Sequence, residues 1–261
     1  MRLTFLGTGT SHGVPAIGCD CAVCRSENPR NRRTRSSLYV QSDTGAAVLV
    51  DVTPEFRIQA IATGLRRVDA VVLTHAHADH IMGIDDLRRI NEIQNGPVPI
   101  HGAPDTLAVV RRAFAYAFDP GPPGPTCPAL ELCPWDRDGH AVEVGDLRVV
   151  PLPCQHGPFS IHGFLFEEGP RRAAYFPDCN GLPDATLREL HDLDVMILDG
   201  LRPQPHPTHF SLSESLEMLA RIGARRSFIT HICHLLEHEA TQAAVPEGVF
   251  VPWDGLVVEL P

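Results

Sequence analysis

The sequence predicts an α/β fold, in which β-strands and amphipathic helices follow one another along the whole chain. Two observations carry this prediction. Short apolar, β-branched runs recur between stretches whose apolar residues have the spacing of a helix. Several of these runs end directly before a histidine or an aspartate. Because residues that follow neighbouring strands meet at one edge of a sheet, the second observation predicts a single metal centre at that edge.

Length and composition limit the classes of protein to consider. The chain has 261 residues, enough to bury a core as one domain covering residues 1–261. Hydrophobic residues make up 43% of it, and no apolar run reaches the roughly 20 residues of a membrane span. Residues 1–7 are too few, and too soon interrupted by glycine, to form a secretory signal. We therefore expect a cytoplasmic protein with no membrane partner.

Charge and cysteine content indicate which partners and which cysteine roles to expect. The formal net charge of −10 argues against a nucleic-acid partner, because duplex binding depends on clustered lysine and arginine. Arginines do cluster between positions 25 and 35, where they would either hold a phosphate group or form a solvated loop. Eight cysteines in a chain expected to be cytoplasmic are typical of thiols or metal ligands rather than disulfides.

Strands are predicted from alternating or continuous apolar residues, and helices from the helical period. The first half is expected to contain strands 1–6, 36–41, 46–50, 70–73 and 98–101 and helices 55–64, 84–93 and 105–118. The second half is expected to contain strands 141–144, 147–152, 163–167, 172–176, 195–199 and 227–230 and a helix at 211–222. Between them, the segment 119–134 is rich in proline and glycine, which predicts a loop or lid without regular structure. Its Cys127 and Cys133 are interpreted as bystanders, and an exposed apolar lid there would suit a homodimer.

The stretch 74–80 carries four metal-ligand side chains directly after a buried strand, namely His75, His77, Asp79 and His80. Residues two apart on an extended loop point the same way, so His75 and His77 would face one point. Asp79 and His80 would open the next helix and face another. The stretch could therefore serve two neighbouring metal ions.

Other strands end in similar residues. His156, Asp178 and His231 each follow a predicted strand and are candidate ligands. Asp51, at the end of strand 46–50, could cap a helix, bind a metal or orient a metal ligand, and we favour the last role. The glycine-rich loop 7–15 lacks the features of a phosphate-binding loop and is expected to bring backbone close to the active centre.

Three cysteines form a second candidate site. Cys19, Cys21 and Cys24 stand in a C-x-C-x-x-C arrangement, which can supply three thiolates to one tetrahedral metal. A fourth ligand, usually Cys or His, must then come from elsewhere in the chain. Reduced, partly buried thiols are the alternative.

The ordered set of histidines and aspartates resembles the five-motif pattern of the metallo-β-lactamase superfamily, over nearly the whole chain. The resemblance implies an αβ/βα sandwich, with two mixed β-sheets flanked by helices and a binuclear centre at one end. By motif position, one metal would be held by His75, His77 and His156, the other by Asp79, His80 and His231, with Asp178 bridging them. Two such ions can activate a shared water and stabilise charge at phosphorus.

Two further features resemble enzymes that cleave phosphoesters. The first is the complete set with Asp178 in the bridging position, which zinc β-lactamases usually lack. The second is the stretch 208–211, which is similar to the histidine motif of the tRNA 3′-processing endonucleases. That motif implies that His209 is not a ligand and protonates the leaving oxygen, although a helix cap is the alternative. Asp79 and His209 are therefore the predicted catalytic residues.

A more specific resemblance is to the PhnP-type cyclic phosphodiesterases of the carbon-phosphorus lyase pathway. It rests on loop 7–15, the three cysteines and the stretch 230–234. In that group the cysteines and a histidine three residues past the last active-site histidine bind a structural zinc, and His234 has this offset. Segment 119–134 shows no such similarity.

These features predict a phosphodiesterase with two active-site divalent ions, Zn²⁺ or Mn²⁺, and one structural Zn²⁺. Its substrate would be a small, cyclic phosphodiester such as a ribosyl 1,2-cyclic phosphate, attacked by a hydroxide that bridges the metals. A thioesterase or glyoxalase-II-type hydrolase is the first alternative, and a non-enzymatic metal-binding or redox protein is another. A tRNA-processing nuclease is disfavoured because only 21 residues separate His156 from Asp178, which leaves no room for an RNA-gripping arm.

Overall fold

The computed structural model describes residues 1–118, 127–136 and 140–261. The strands in these ranges are β1 Arg2–Gly7, β2 Ser37–Gln41, β3 Ala47–Val50, β4 Ala70–Val72, β5 Val98–Gly102, β6 Leu130–Pro134, β7 Val142–Val144, β8 Leu147–His156, β9 Phe159–Glu168, β10 Arg171–Phe176, β11 Val195–Asp199, β12 Arg226–Thr230, β13 Val249–Phe250 and β14 Val257–Glu259. The helices are α1 Phe56–Thr63, α2 Ala78–Ile81, α3 Leu87–Gln94, α4 Pro104–Ala113, α5 Ala115–Phe118, α6 Asp184–Glu189, α7 Leu212–Ile222 and α8 His238–Ala244, with short 3₁₀ turns at Pro29–Asn31 and Ile84–Asp86.

The described strands form two seven-stranded sheets, both mixed. The first has the order β14-β1-β2-β3-β4-β5-β6, antiparallel up to β3 and parallel from β3 to β6. The second has the order β13-β12-β11-β10-β9-β8-β7, parallel from β13 to β10 and antiparallel beyond. Within each sheet, parallel strands therefore deliver their carboxyl ends to one edge.

Alternation along the strands builds a four-layer sandwich. In β3, Val48 and Val50 join a core between the sheets that also contains Phe164 and Ile197 from the second sheet. The other face of the first sheet packs on α1, α3 and α4. The outer face of the second sheet packs against residues of α7 and the α6 region. The predicted arrangement of two mixed sheets flanked by helices is confirmed.

Strand β8 runs four residues beyond its predicted end and reaches His156. This extended strand contains Pro151 and Pro153, although proline cannot donate a hydrogen bond to a ladder. Both prolines are an even number of residues from Gln155, so their backbone nitrogens face the same side of the strand as the Gln155 amide. That amide points away from β9 and donates to Gly181 O at 2.9 Å. Because the nitrogens of the two prolines face away from β9, the pairing of β8 with β9 loses no hydrogen bond. The extension carries His156 to the site.

The segment 119–134 was wrongly predicted to be irregular at its end. Residues 130–134 form β6, which pairs in parallel with β5 and packs Leu130 and Leu132 against the apolar cluster under α3 and α4. The open edge of β5 supplies this pairing, which local composition does not report. Residues 119–126 of the predicted lid lie outside the described residues.

Other differences are local. The predicted helix 84–93 is broken into a 3₁₀ turn and α3, and helix 105–118 is broken at Phe114 into α4 and α5. The short elements α6, α8, β13 and β14 were not predicted. Among the described residues, no helix has the length and apolar character needed to cross a membrane.

Candidate metal centre

Strand ends from both sheets converge on the site. His75 follows β4, and His77 and Asp79 come next, where α2 begins. From the second sheet, His156 ends β8, Asp178 follows β10 and His231 follows β12. Residues far apart in sequence thus meet because their strands end at the same place.

The structure brings the seven predicted ligands together in two groups. The first consists of His75, His77 and His156, and the second of Asp79, His80, Asp178 and His231. Within each group, one ligand atom per residue lies within 4.8 Å of the others. In the first group, His75 Nε2 is 2.8 Å from His77 Nδ1. The i, i+2 spacing therefore places both imidazoles at one point.

Asp178 lies between the two groups. Its Oδ2 is 3.2 Å from His80 Nε2 and 3.9 Å from His75 Nε2, so one oxygen reaches both groups. Its Oδ1 is 3.2 Å from His231 Nε2. A carboxylate in this position is able to contact two cations at once.

Burial keeps most of the histidines neutral. It lowers the pKa of His156 and that of His231 to about 4 each. It also lowers the pKa of His75 well below the ordinary value. Neutral imidazole is the form that binds metals, so these residues need lose no proton at neutral pH.

His80 is the exception. Burial opposes its charge, but three neighbouring carboxylates outweigh burial and raise its pKa well above the ordinary value. They belong to Asp178, Asp51 and Asp79. For Asp178, burial would raise the pKa, but the positive charge of His80 and its hydrogen bond to the carboxylate outweigh burial and hold the pKa well below its usual range. The pocket is therefore rich in buried negative charge that a divalent cation would neutralise.

Asp51 fixes the orientation of the neighbouring residues. This fully buried carboxylate accepts hydrogen bonds from Thr74 N (2.9 Å) and Thr74 Oγ1 (2.8 Å), and it lies 2.7 Å from His80 Nδ1. Contact at Nδ1 leaves the Nε2 of His80 to face Asp178. Asp51 and His231 also adopt left-handed backbone angles, with φ of 60° and 59°. Such angles are costly outside glycine and concentrate at functional sites.

His209 is packed against both groups of ligands. Its ring is 4.8 Å from that of His156 and 4.7 Å from that of His231, centroid to centroid. Its Nδ1 lies 2.6 Å from Oδ2 of the buried Asp199, which also accepts from the Cys179 amide at 2.9 Å. Sequence reasoning gave Asp199 no role, although it ends β11 as other candidates end their strands.

The pKa values of His209 and Asp199 are both shifted from their ordinary values. Burial favours the neutral acid and raises the pKa of Asp199 to about 7. Burial also opposes the charge on His209, but Asp199 outweighs it and raises the pKa of His209. We place the shared proton on His209, because the Cys179 amide can only donate to the same carboxylate oxygen.

Two buried atoms without hydrogen-bond partners show that the residues of the site fit a divalent cation. Within the described part of the chain, His231 Nε2 and Asp178 Oδ1 are buried and neither has a hydrogen-bond partner, although they lie 3.2 Å apart. Unpartnered buried polar atoms are costly, and a cation between them would satisfy both. Imidazole and carboxylate donors of this kind suit zinc or manganese.

The cysteine cluster is a second, separate group. Cys19, Cys21, Cys24 and His234 come together, with His234 Nδ1 at 3.2 Å from Cys19 Sγ and 3.3 Å from Cys21 Sγ. Hydrogen bonds from the Cys24 amide and then His234 lower the pKa of Cys21 to about 6. Three thiols and an imidazole fit a structural zinc. Cys127 and Cys133 do not belong to this cluster.

The glycine-rich loop links this cluster to the site. Thr10 N donates to Ile232 O at 3.2 Å, and Ile232 N donates to Thr8 O at 3.0 Å. The loop thus runs beside the residue that follows His231. Its predicted role, bringing backbone close to the site, agrees with these contacts.

Comparisons with known proteins agree on the fold. The family described as the β-lactamase superfamily domain matches residues 46–232. A crystal structure of a diphosphatase from the PhnP family is 40% identical, with a TM-score of 0.90, covering 100% of this chain and 98% of that one. Zinc-bound PqqB from Methylobacterium extorquens is 21% identical over 100% of both chains, with a TM-score of 0.83, which shows a shared fold.

A longer relative is also similar. An octanoyltransferase from Porphyromonas gingivalis is 34% identical over 258 residues, which is 98% of this chain and 51% of the relative. The chain thus spans about half the length of that protein.

Proposed function

The chain belongs to the metallo-β-lactamase superfamily and, within it, to the PhnP family, and we propose that it is a dinuclear phosphodiesterase acting on a small phosphodiester. Membership of the family makes it a metal-dependent hydrolase. The finer proposal names a cyclic ribosyl phosphate as the substrate class, with a small molecule rather than nucleic acid as the partner.

The ligand set supports two active-site ions, zinc or manganese. One would be held by His75, His77 and His156, the other by Asp79, His80 and His231, and Asp178 would contact both. When bound, such ions activate water and offset the negative charge that develops at phosphorus. Asp51 would keep His80 oriented through its contact with Nδ1.

The observation that carries the phosphodiesterase proposal is His209 beside a complete ligand set. A departing alkoxide needs a proton, and His209 offers one from a ring that touches His156 and His231. Asp199 holds that ring through Nδ1, which leaves Nε2 to donate to the leaving oxygen. Asp199 also stabilises the charged form of His209 and raises its pKa against the opposing effect of burial, which suits a proton donor.

We expect His209→Ala to lower turnover of a cyclic ribosyl phosphate by about 10²- to 10⁴-fold, the range for loss of a general acid. The metal content measured by elemental analysis should stay at the wild-type value, because His209 is not one of the proposed ligands. A matched control is His191→Ala, since His191 is a surface histidine with a 63% exposed side chain. Undiminished turnover in His209→Ala would remove this residue as the acid.

A second candidate activity is hydrolysis of a diphosphate. It is favoured by the PhnP-family neighbour at 40% identity, which is described as a diphosphatase. Both reactions break a P–O bond and need the same ions, so they differ in the leaving group. We expect kcat/KM for a ribosyl 1,2-cyclic phosphate to exceed that for a nucleoside 5′-diphosphate when both are assayed with the same metal-loaded protein. The reverse order would replace the diester proposal with the diphosphate one.

A further inference from the structure

The backbone around His231 is held from two sides. Its φ of 59° is a left-handed angle, which a residue other than glycine keeps only when the surrounding structure imposes it. On one side, the chain that follows β11 pairs with the residues before and after His231. Gly200 N donates to Thr230 O and Cys233 N donates to Leu201 O, both at 3.0 Å. The glycine-rich loop lies on the other side.

The contact from the glycine-rich loop is made next to the ligand itself. Ile232, the residue directly after His231, donates its amide to Thr8 O at 3.0 Å. Its carbonyl accepts from Thr10 N at 3.2 Å. The direction in which the chain leaves His231 therefore depends on where the Thr8 carbonyl is held.

Two charged side chains hold Thr8, which is fully buried. The Thr8 hydroxyl donates to Asp254 Oδ1 at 2.8 Å and accepts from Arg33 Nη1 at 2.7 Å. The Thr8 amide donates to the same Asp254 oxygen at 2.9 Å. A hydroxyl has one proton, and a guanidinium can only donate, so the direction of both hydroxyl bonds is fixed. Thr8 thus links a cation to a carboxylate.

The two charged side chains are themselves fixed by other partners. Asp254 Oδ2 accepts from Thr34 N at 2.6 Å and from Thr34 Oγ1 at 2.7 Å. Arg33 is 3% exposed; it also donates to Pro252 O at 2.7 Å, and its Nη2 lies 3.1 Å from His238 Nδ1. The segment before β2 and the segment between β13 and β14 therefore meet at Thr8.

We propose that Thr8 is a positioning residue for His231. Asp254 and Arg33 hold Thr8, its carbonyl fixes the Ile232 amide, and this contact keeps His231 in the left-handed conformation. In that conformation His231 Nε2 lies 3.2 Å from Asp178 Oδ1. Thr8 is not one of the clustered candidate ligands, so it would act only through His231. The inference rests on the metal centre of the proposed function, because His231 is a proposed ligand.

The test is Thr8→Val, which keeps the shape of the side chain and removes the hydroxyl. The affinity for one active-site ion should fall by about 10- to 100-fold, the range for loss of a group that orients a metal ligand. The measurement is a titration of metal-stripped full chain with cobalt(II) against a competing chelator. Cobalt bound to thiolates absorbs strongly in the near ultraviolet, whereas cobalt bound to imidazole and carboxylate absorbs in the visible. Affinity at the cysteine cluster is thus followed separately, and it should not change.

Two variants distinguish positioning from a general loss of stability. Thr8→Ser restores the hydroxyl and should bring the affinity of the active-site ion back toward the wild-type value. Tyr39→Phe removes another largely buried hydroxyl, which donates to Arg67 O at 2.7 Å on the helix-covered face of the first sheet. It should leave both cobalt signals and both affinities unchanged.

Three results would overturn the inference: an unchanged active-site affinity in Thr8→Val, equal losses in Thr8→Val and Thr8→Ser, or an equal loss at the cysteine cluster. If Thr8→Val does not fold, Asp254→Asn tests the same clamp and should show the same selective loss. If the wild-type protein binds both active-site ions and cleaves no phosphodiester, the proposed function fails. A selective loss in Thr8→Val would still support the inference in that case.

Discussion

Replacing Asp178 with asparagine is expected to lower turnover of a phosphodiester by about 10³-fold or more. Asp178 reaches both groups of ligands, through Oδ2 toward His75 and His80 and Oδ1 toward His231. Asparagine keeps the shape but removes the charge. Metal ions supply several kcal/mol of transition-state stabilisation, which converts to roughly that factor when their shared ligand is lost.

The same variant should change metal binding. The elemental content of purified Asp178→Asn should fall by one or both active-site ions, while the zinc of the cysteine cluster persists. Asp192→Asn is the matched control, since Asp192 has a 91% exposed side chain and belongs to neither cluster. Wild-type turnover with both active-site ions retained in Asp178→Asn would contradict the bridging role.

Cys21→Ser is expected to lower the melting temperature by about 6 to 12 °C and the zinc content by about one ion per chain. Cys21 Sγ lies 3.3 Å from His234 Nδ1, so it connects the N-terminal loop to the segment after β12. Structural zinc contributes to folding free energy, and loss of roughly 3 kcal/mol in a chain of this size gives such a shift.

The cysteine prediction has a close control within the chain. Cys133→Ser changes a half-buried thiol on β6 that lies outside the cluster, and it should leave the zinc content unchanged. Thermal unfolding followed by circular dichroism, with elemental analysis of the same samples, provides both readouts. Unaltered zinc content in Cys21→Ser would refute the structural site.

The candidate ligands could be found from the sequence because each lies just past a predicted strand. His75 to His80 form one local motif, and His231 follows the predicted strand 227–230. Superfamily membership was predicted from this order of residues, and it is confirmed. The roles given to individual ligands remain predictions, although the structure brings all seven together.

What the sequence did not reveal depends on contacts between distant residues. The strand at 130–134 exists because β5 offers an open edge. The extension of β8 depends on which side of the ladder Pro151 and Pro153 face, which only pairing with β9 decides. Asp199 lies at the end of a predicted strand, as the other candidate aspartates do, but its role can be inferred only from the 2.6 Å contact with His209.

Backbone conformation was also beyond the sequence. The left-handed angles of Asp51 and His231 are held by the surrounding structure and leave no local sign.

The most direct test of the central claim is turnover by protein stripped of metal and then reloaded with zinc or manganese. Four substrates are compared: bis(p-nitrophenyl) phosphate, p-nitrophenyl phosphate, a thioester and a lactam. We predict selective cleavage of the diester that disappears on stripping and returns on reloading. Cleavage of the thioester without the diester, or no metal-dependent cleavage of any of the four, would contradict the account.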